Sequence, residues 1–200
     1  MAENDDAVLT AAVGYAFVAE PGTKHPTAAE LKTIDLEDPS SWGITGGTWI
    51  SVGHTSRGTL PEFGFDGDDS EVKGSWQKKK LREITTEDPI DYLTILLHQF
   101  DEQSLGLYYG PNASTVPGEF GVKTGQTNEK AVLVVIVDGD MRLGHYVEKS
   151  SVKRDAAIDM PIDDLAALPV RFTYLDPDVG DIPFKWINED LFNVDAGTEG

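Results

Sequence analysis

The sequence predicts a mainly β protein: an antiparallel β-sandwich or barrel with one flanking α-helix and long loops. Three observations carry that prediction. Short apolar or alternating runs of strand length recur, about eight of them, bounded by Gly, Asp and Pro turn signals. Only one segment has full helical periodicity. Nothing alternates strand with helix as a doubly wound fold would. At 200 residues a single domain over residues 1–200 is expected. A chain of that size buries roughly 70% of its unfolded surface, enough core to hold without covalent staples.

The elements follow in order. Residues 1–10 read as a polar arm, and Ala12–Ala19 (AVGYAFVA) as a first strand. A long loop over residues 20–47 follows, punctuated by Pro21, Pro26 and Pro39. Within it, Thr27 followed three residues later by Glu30 has the form of a capping box for a short helix to Lys32. Connections this long inside a compact domain are usually functional. Thr48–Thr55 alternates as a strand does. Thr59–Phe65 and Glu71–Lys79 read as partners around Asp66-Gly67-Asp68-Asp69, because Asp-Gly tolerates the positive φ of a hairpin turn. Another strand is expected at Lys80–Thr86.

The helix is expected over Pro89–Glu102, with Asp88 as cap, Pro89 at the first helical position and Asp91 three after the cap. Ile90, Leu93, Leu96, Leu97 and Phe100 form its apolar stripe. Leu105–Tyr109 returns to strand. Ala131–Val137 and Met141–Lys149 flank Asp138-Gly139-Asp140 as a second hairpin, the first of the two apolar throughout and so buried on both faces. Ser151–Ile158, Leu168–Leu175 and Phe184–Ile187 supply further strands. Residues 195–200 read as a frayed tail.

Charge narrows the function classes. The chain holds 35 Asp+Glu against 16 Lys+Arg, net −19. Residues 1–70 carry 12 acids and 3 bases, residues 71–130 carry 9 and 7, and residues 131–200 carry 14 and 6. Tight binding to a phosphate backbone needs clustered cations, and this excess argues against it. With 40% hydrophobic residues the chain is too apolar for a disordered acidic segment. There is no cysteine, hence no disulfide, thiolate zinc site or cysteine nucleophile. The opening Met1–Asp6 is acidic where a secretory signal is basic, so none is expected. The longest apolar run, Ala131–Val137, is far short of a membrane span.

No catalytic constellation emerges, and no catalytic, cofactor or metal site is expected. His25, His54, His98 and His145 are scattered, and none stands in an HExxH setting. Asp66–Glu71 starts like a calcium loop but has Glu71 and Gln77 where Gly and Glu are needed. The carboxylate pairs Asp138/Asp140, Asp163/Asp164 and Asp176/Asp178 lie in turn chemistry. Lys78-Lys79-Lys80-Leu81-Arg82 is the one basic cluster, readable as a solvated strand end or as a surface that meets acids on a neighbouring copy. Trp42, Trp49, Trp76 and Trp186 could serve as stacking platforms for carbohydrate. The alternative function is therefore a β-sandwich module that binds carbohydrate or a host surface.

An ordered set of short motifs then stands out: Gly74-Ser-Trp-Gln77, Leu81-Arg-Glu83, Tyr92-Leu-Thr94, Leu97-His-Gln-Phe-Asp101 and Ser104-Leu-Gly-Leu-Tyr-Tyr-Gly110. Trp49-Ile-Ser-Val-Gly53 with Thr55-Ser56 precedes it, and Phe172-Thr-Tyr-Leu-Asp-Pro177 follows. From Val13 to Ile187 the chain resembles the major tail proteins, or tail tube proteins, of long-tailed bacteriophages, most closely those of actinobacterial phages. With 200 residues, the extra C-terminal immunoglobulin-like domain of larger members is not expected.

The resemblance implies a structural protein of the virion tail, made in the host bacterial cytoplasm. It implies hexameric rings stacked into a hollow tube through which the genome passes without specific DNA binding. Partners would be further copies of the chain, a tape measure protein inside the tube during assembly, and tail terminator and distal tail proteins at its ends. Acids facing the lumen would keep DNA from sticking. Contacts between subunits are expected at Pro21, His25, Pro39 and Trp42 of the long loop, at Asp66, Asp68 and Asp69 of the hairpin tip, and at Lys78, Lys79, Lys80 and Arg82.

Overall fold

The structure, a computed structural model, describes residues 7–67, 70–85, 87–178, 180 and 182–192. In chain order the elements are β1 (Val13–Ala19), α1 (Ala28–Leu31), a 3-10 turn (Pro39–Trp42), β2 (Ile50–Ser51), β3 (Glu62–Asp66), β4 (Ser70–Lys73) and β5 (Arg82–Thr85). There follow β6 (Ile90–Leu97), α2 (Glu102–Tyr109), β7 (Glu129–Asp138), β8 (Met141–Arg154), β9 (Leu168–Tyr174) and β10 (Phe184–Ile187). The protein is mainly β with antiparallel pairing, as the sequence predicts. The chain forms two compact units, one of Met1–Gly53, Glu129–Ser150 and Leu175–Gly200, the other of His54–Asn128 and Ser151–Tyr174.

In the first unit the strand order is β2–β1–β7–β8, with β10 on β8. β1 runs antiparallel to β7 from Val13↔Val137 to Ala19↔Ala131. Ala131–Val135 is buried at every position, so β7 is covered on both faces. That is why it reads as an unbroken apolar run rather than an alternating one. Phe17, Leu133, Val135 and Tyr146 form the core with Leu31, Leu36 and Trp49 from the long connection. The connection is tied down locally. Thr27 Oγ1 accepts from Glu30 N–H (3.2 Å), and the Glu30 carboxylate accepts from Thr27 N–H (2.8 Å), completing the capping box. Arg142 donates to the carbonyls of Leu31 (3.1 Å) and Ile34 (2.7 Å), satisfying acceptors that the end of a short helix leaves open.

In the second unit the order is β9–β6–β3, with the end of β8 beside β9. Leu93 faces Phe172, Ile95 faces Val170 and Leu97 faces Leu168 across the β6–β9 ladder; all six are buried. β9 alternates buried and half-buried residues along its whole length, the period-2 signature of a strand on a core. α2 packs on β9 through buried Leu107 and Tyr108, and the Tyr108 hydroxyl donates to Ala156 O (2.6 Å).

Five expectations are corrected. The Pro89–Glu102 helix is strand β6, and the Leu105–Tyr109 strand lies in helix α2. The stripe Ile90, Leu93, Leu97 satisfies a helical period. Leu93, Ile95 and Leu97 equally satisfy a strand, and ladders to β3 on one side and β9 on the other select it. The operative helix cap is Asp101, whose carboxylate accepts from Ser104 N–H (2.8 Å). The Asp66–Gly67 turn does not join β3 to β4: β3 pairs with β6, and β4 pairs with β5. β4 is polar and wholly exposed, so it pairs locally instead of joining the core sheet. The strand expected at Thr48–Thr55 shrinks to Ile50–Ser51, extended by Val52 N–H to Ala16 O (3.0 Å). Met141–Lys149 and the start of Ser151–Ile158 are one strand, β8, that passes from the first unit into the second. The tail at 195–200 and most of the 1–10 arm lie outside the described residues.

Candidate self-association surfaces

The longest unbroken exposed run among the described residues is the β4–β5 hairpin. Every residue from Ser70 to Glu83 is exposed. Four cross-strand pairs, from Ser70↔Thr85 to Lys73↔Arg82, hold it together. Its end is closed by Ser75 N–H to Lys78 O (2.7 Å) and Lys78 N–H to Ser75 O (3.2 Å), which leaves Trp76 and Gln77 at the apex. Gly74 is required by the close approach of the two arms, since a Cβ there would run into the Lys79 carbonyl. Glu71 is paired with Lys73, and Glu83 accepts from the Ser70 hydroxyl. Among the described residues, Lys78, Lys79, Lys80 and Arg82 make no ion pair. Val72, Trp76 and Leu81 are exposed beside them, Trp76 completely (101%).

A second surface is strand β3, the outermost of its sheet. It carries exposed Phe63 and Phe65. Arg171 pins it: the guanidinium lies 3.6 Å from the Tyr92 ring centroid and pairs with Asp66. Gly64 makes this possible, because any Cβ there would occupy the Tyr92 ring position. Asp66, expected as a subunit contact, is thus engaged within its own unit. Asp68 and Asp69 lie outside the described residues.

Pro21, His25, Pro39 and Trp42 are half-buried on the first unit. His25 sits 4.6 Å from the Tyr146 ring. Trp42 meets Phe17 edge-on at 4.7 Å and donates Nε1–H to Asp35 O (2.6 Å). The structure brings these four together in one packed connection, and Lys78, Lys79, Lys80 and Arg82 together in one hairpin. The exposed segment 159–167, with Met160, Ile162 and Leu165 beside Asp163 and Asp164, was missed. Its signal in the sequence is apolar residues set among acids with no helical or strand period.

Among the described residues no three His, Cys, Asp or Glu side chains are placed to hold a metal ion. His145 is buried between β8 and β10, with its ring 4.5 Å from Trp186 and 5.5 Å from Phe184. Burial pushes its pKa down to about 4, so the ring is neutral near pH 7. Tyr146 and Tyr174 are shifted upward, chiefly by burial, and stay protonated. No helix among the described residues is long and apolar enough to cross a membrane.

An outer strand open to a neighbour and an exposed charged hairpin are features a structural subunit uses to meet further copies. Comparison with known proteins specifies which kind. The family model for phage tail tube proteins matches residues 1–198, and the chain belongs to that family. It is similar to major tail protein Gp23 of Mycobacterium phage D29, 79% identical over 198 residues and 98% of each chain. It is likewise similar to major tail protein Gp23 of Mycobacterium phage L5, 77% identical over 201 residues and the whole of both chains. The protein is a structural component of the virion tail.

Proposed function

We propose that the chain closes into hexameric rings that stack into a hollow tube, the conduit through which the phage genome is delivered. The observation that carries the reading is the β4–β5 hairpin, whose residues 70–83 are exposed without interruption. Two strands without a third strand or a packed face are marginal in water, so such a hairpin calls for a partner. A ring closes when one surface meets a different surface on the next copy, and outer strand β3 offers a second site for backbone pairing between copies. Pro21, His25, Pro39, Trp42, Asp66, Asp68 and Asp69 are further contact positions in this proposal.

The tube's interior follows from charge. DNA is a dense line of phosphates, and a wall of carboxylates repels it within the screening length of about 8 Å at physiological salt. Part of the excess of 35 acids over 16 bases is assigned to the lumen. Six copies at −19 would bring −114 to each ring. A tape measure protein occupies the tube during assembly in the bacterial cytoplasm, and terminator and distal tail proteins close its ends. The carbohydrate-binding alternative loses support: Trp49 is buried and Trp42 and Trp186 are packed on other rings, leaving only Trp76 as a fully open platform. Negative-stain microscopy of concentrated protein tests the reading. Rings or tubes that do not retard duplex DNA at low salt are expected; a protein that stays monomeric at every concentration refutes it.

A further inference from the structure

The hairpin has a complement in the same sequence. The segment 159–167 is a closed loop whose ends are joined by Asp159 N–H to Ala167 O (3.2 Å) and Ala167 N–H to Asp159 O (2.9 Å). Its base is fixed by the contact of His98 Nδ1 with Ala166 O (2.8 Å). Its far side is presented to solvent: Met160 and Leu165 are exposed, and Ile162 is 99% exposed. Asp159, Asp163 and Asp164 lie among them, and no base occurs between Asp159 and Ala167. Only Asp164 has a local role, accepting from Leu165 N–H (2.7 Å).

The hairpin is the inverse in charge and alike in apolar character. From Val72 to Arg82 it holds Lys73, Lys78, Lys79, Lys80 and Arg82 and no acid, five of the chain's 16 bases. The exposure of Trp76 and of Ile162 means that neither surface is covered within its own chain.

We propose that the β4–β5 hairpin of one copy seats on the 159–167 loop of a second copy. Trp76, Leu81 and Val72 pack against Ile162, Met160 and Leu165, while Lys78, Lys79, Lys80 and Arg82 pair with Asp159, Asp163 and Asp164. The contact rests on the self-assembly reading and sharpens it by naming both halves of one interface. Because the two surfaces differ, each copy gives a hairpin and receives one. The contact therefore propagates from copy to copy instead of ending at a dimer. Burying the apolar residues removes water from around the charge pairs and strengthens them. Opposite charge also fixes register and rejects hairpin-on-hairpin or loop-on-loop pairing.

The absence of native cysteine makes the test clean. Double variants combining Trp76→Cys or Gln77→Cys with Ile162→Cys or Asp163→Cys are assembled and oxidised. A ladder of covalent multimers is expected on a denaturing gel from at least one of the four pairs, and none from the single variants. Tubes that form normally with no cross-link from any pair overturn the contact while leaving self-assembly standing. Wild-type protein that never assembles overturns both. If the cysteine variants fail to assemble where wild type does, a charge swap decides. Lys78→Glu/Lys79→Glu/Lys80→Glu alone, and Asp163→Lys/Asp164→Lys alone, are each expected to raise the assembly threshold about tenfold at low salt. Mixing the two variants as separate chains matches charge at every contact between unlike chains, reversed in one direction and native in the other, so alternating hetero-multimers are expected; no association of any kind in the mixture overturns the proposal.

Discussion

His145 makes stability depend on pH in a window where most surface groups are quiet. Its ring is 2% exposed, enclosed by Phe184 and Trp186, and its folded-state pKa is about 4 against 6.5 when unfolded. Between those values the unfolded chain binds a proton that the folded chain refuses, so stability rises with pH there and falls as pH drops below about 6.5. The loss levels off below about 4, where the folded state is protonated too. With those two pKa values, going from pH 7.5 to pH 4.5 removes about 2.5 kcal/mol. At a urea slope of about 2.5 kcal/mol per molar, the unfolding midpoint moves down by about 1 M. Carboxylates also titrate near the lower end, so the comparison is with His145→Gln, which keeps them all. The readout is urea unfolding of unassembled protein at several pH values, and the quantity is the difference in pH slope between the two proteins. Wild type is expected to lose about 2.5 kcal/mol more than the variant over this range. Parallel loss in both would refute the reasoning, whatever their absolute stabilities.

Two further outcomes follow from packing. Phe172, fully buried opposite Leu93, is expected to cost about 3–5 kcal/mol when truncated in Phe172→Ala, read as a lowered urea midpoint. Gly74→Val is expected to spring the hairpin by forcing its arms apart at Lys79 while leaving the two cores intact. Trypsin cleavage around Lys78–Arg82 should accelerate severalfold with unchanged urea unfolding, and assembly should be lost.

Much of the fold was legible because it is written locally. The Thr27/Glu30 capping box, the Asp138–Gly139 hairpin between β7 and β8, and β10 at Phe184–Ile187 each depend on a few neighbouring residues. The failures are of another kind. Residues 90–97 satisfy two periods at once, and the choice between them is made by β3 and β9, which lie far away in sequence. The partner of β3 is likewise a non-local matter: Asp-Gly signals a turn but does not name what the next strand pairs with. At the surface, Lys78–Arg82 was recognisable as a basic cluster, but its place at the end of a fully exposed hairpin was not. In the 159–167 loop only Asp163/Asp164 was legible, as turn carboxylates; its apolar side chains follow no period, and only their exposure distinguishes them from core.

The interleaving of the two units has a consequence for synthesis. The first unit opens the chain with β1, but its strand partner β7 begins more than a hundred residues later, and its core is completed only by Ile187. At about 5–20 residues per second a ribosome needs about 6–20 s to deliver β7 after β1. Through that interval Val-Gly-Tyr-Ala-Phe-Val-Ala of β1 has only the two-residue β2 to pair with and its other edge is open, the kind of segment that recruits the wrong neighbour. The second unit can meanwhile finish at Tyr174, before the first. The acids Glu3, Asp5 and Asp6 ride just ahead of β1. Like charges set ahead of an apolar strand oppose its pairing with the same strand of another chain.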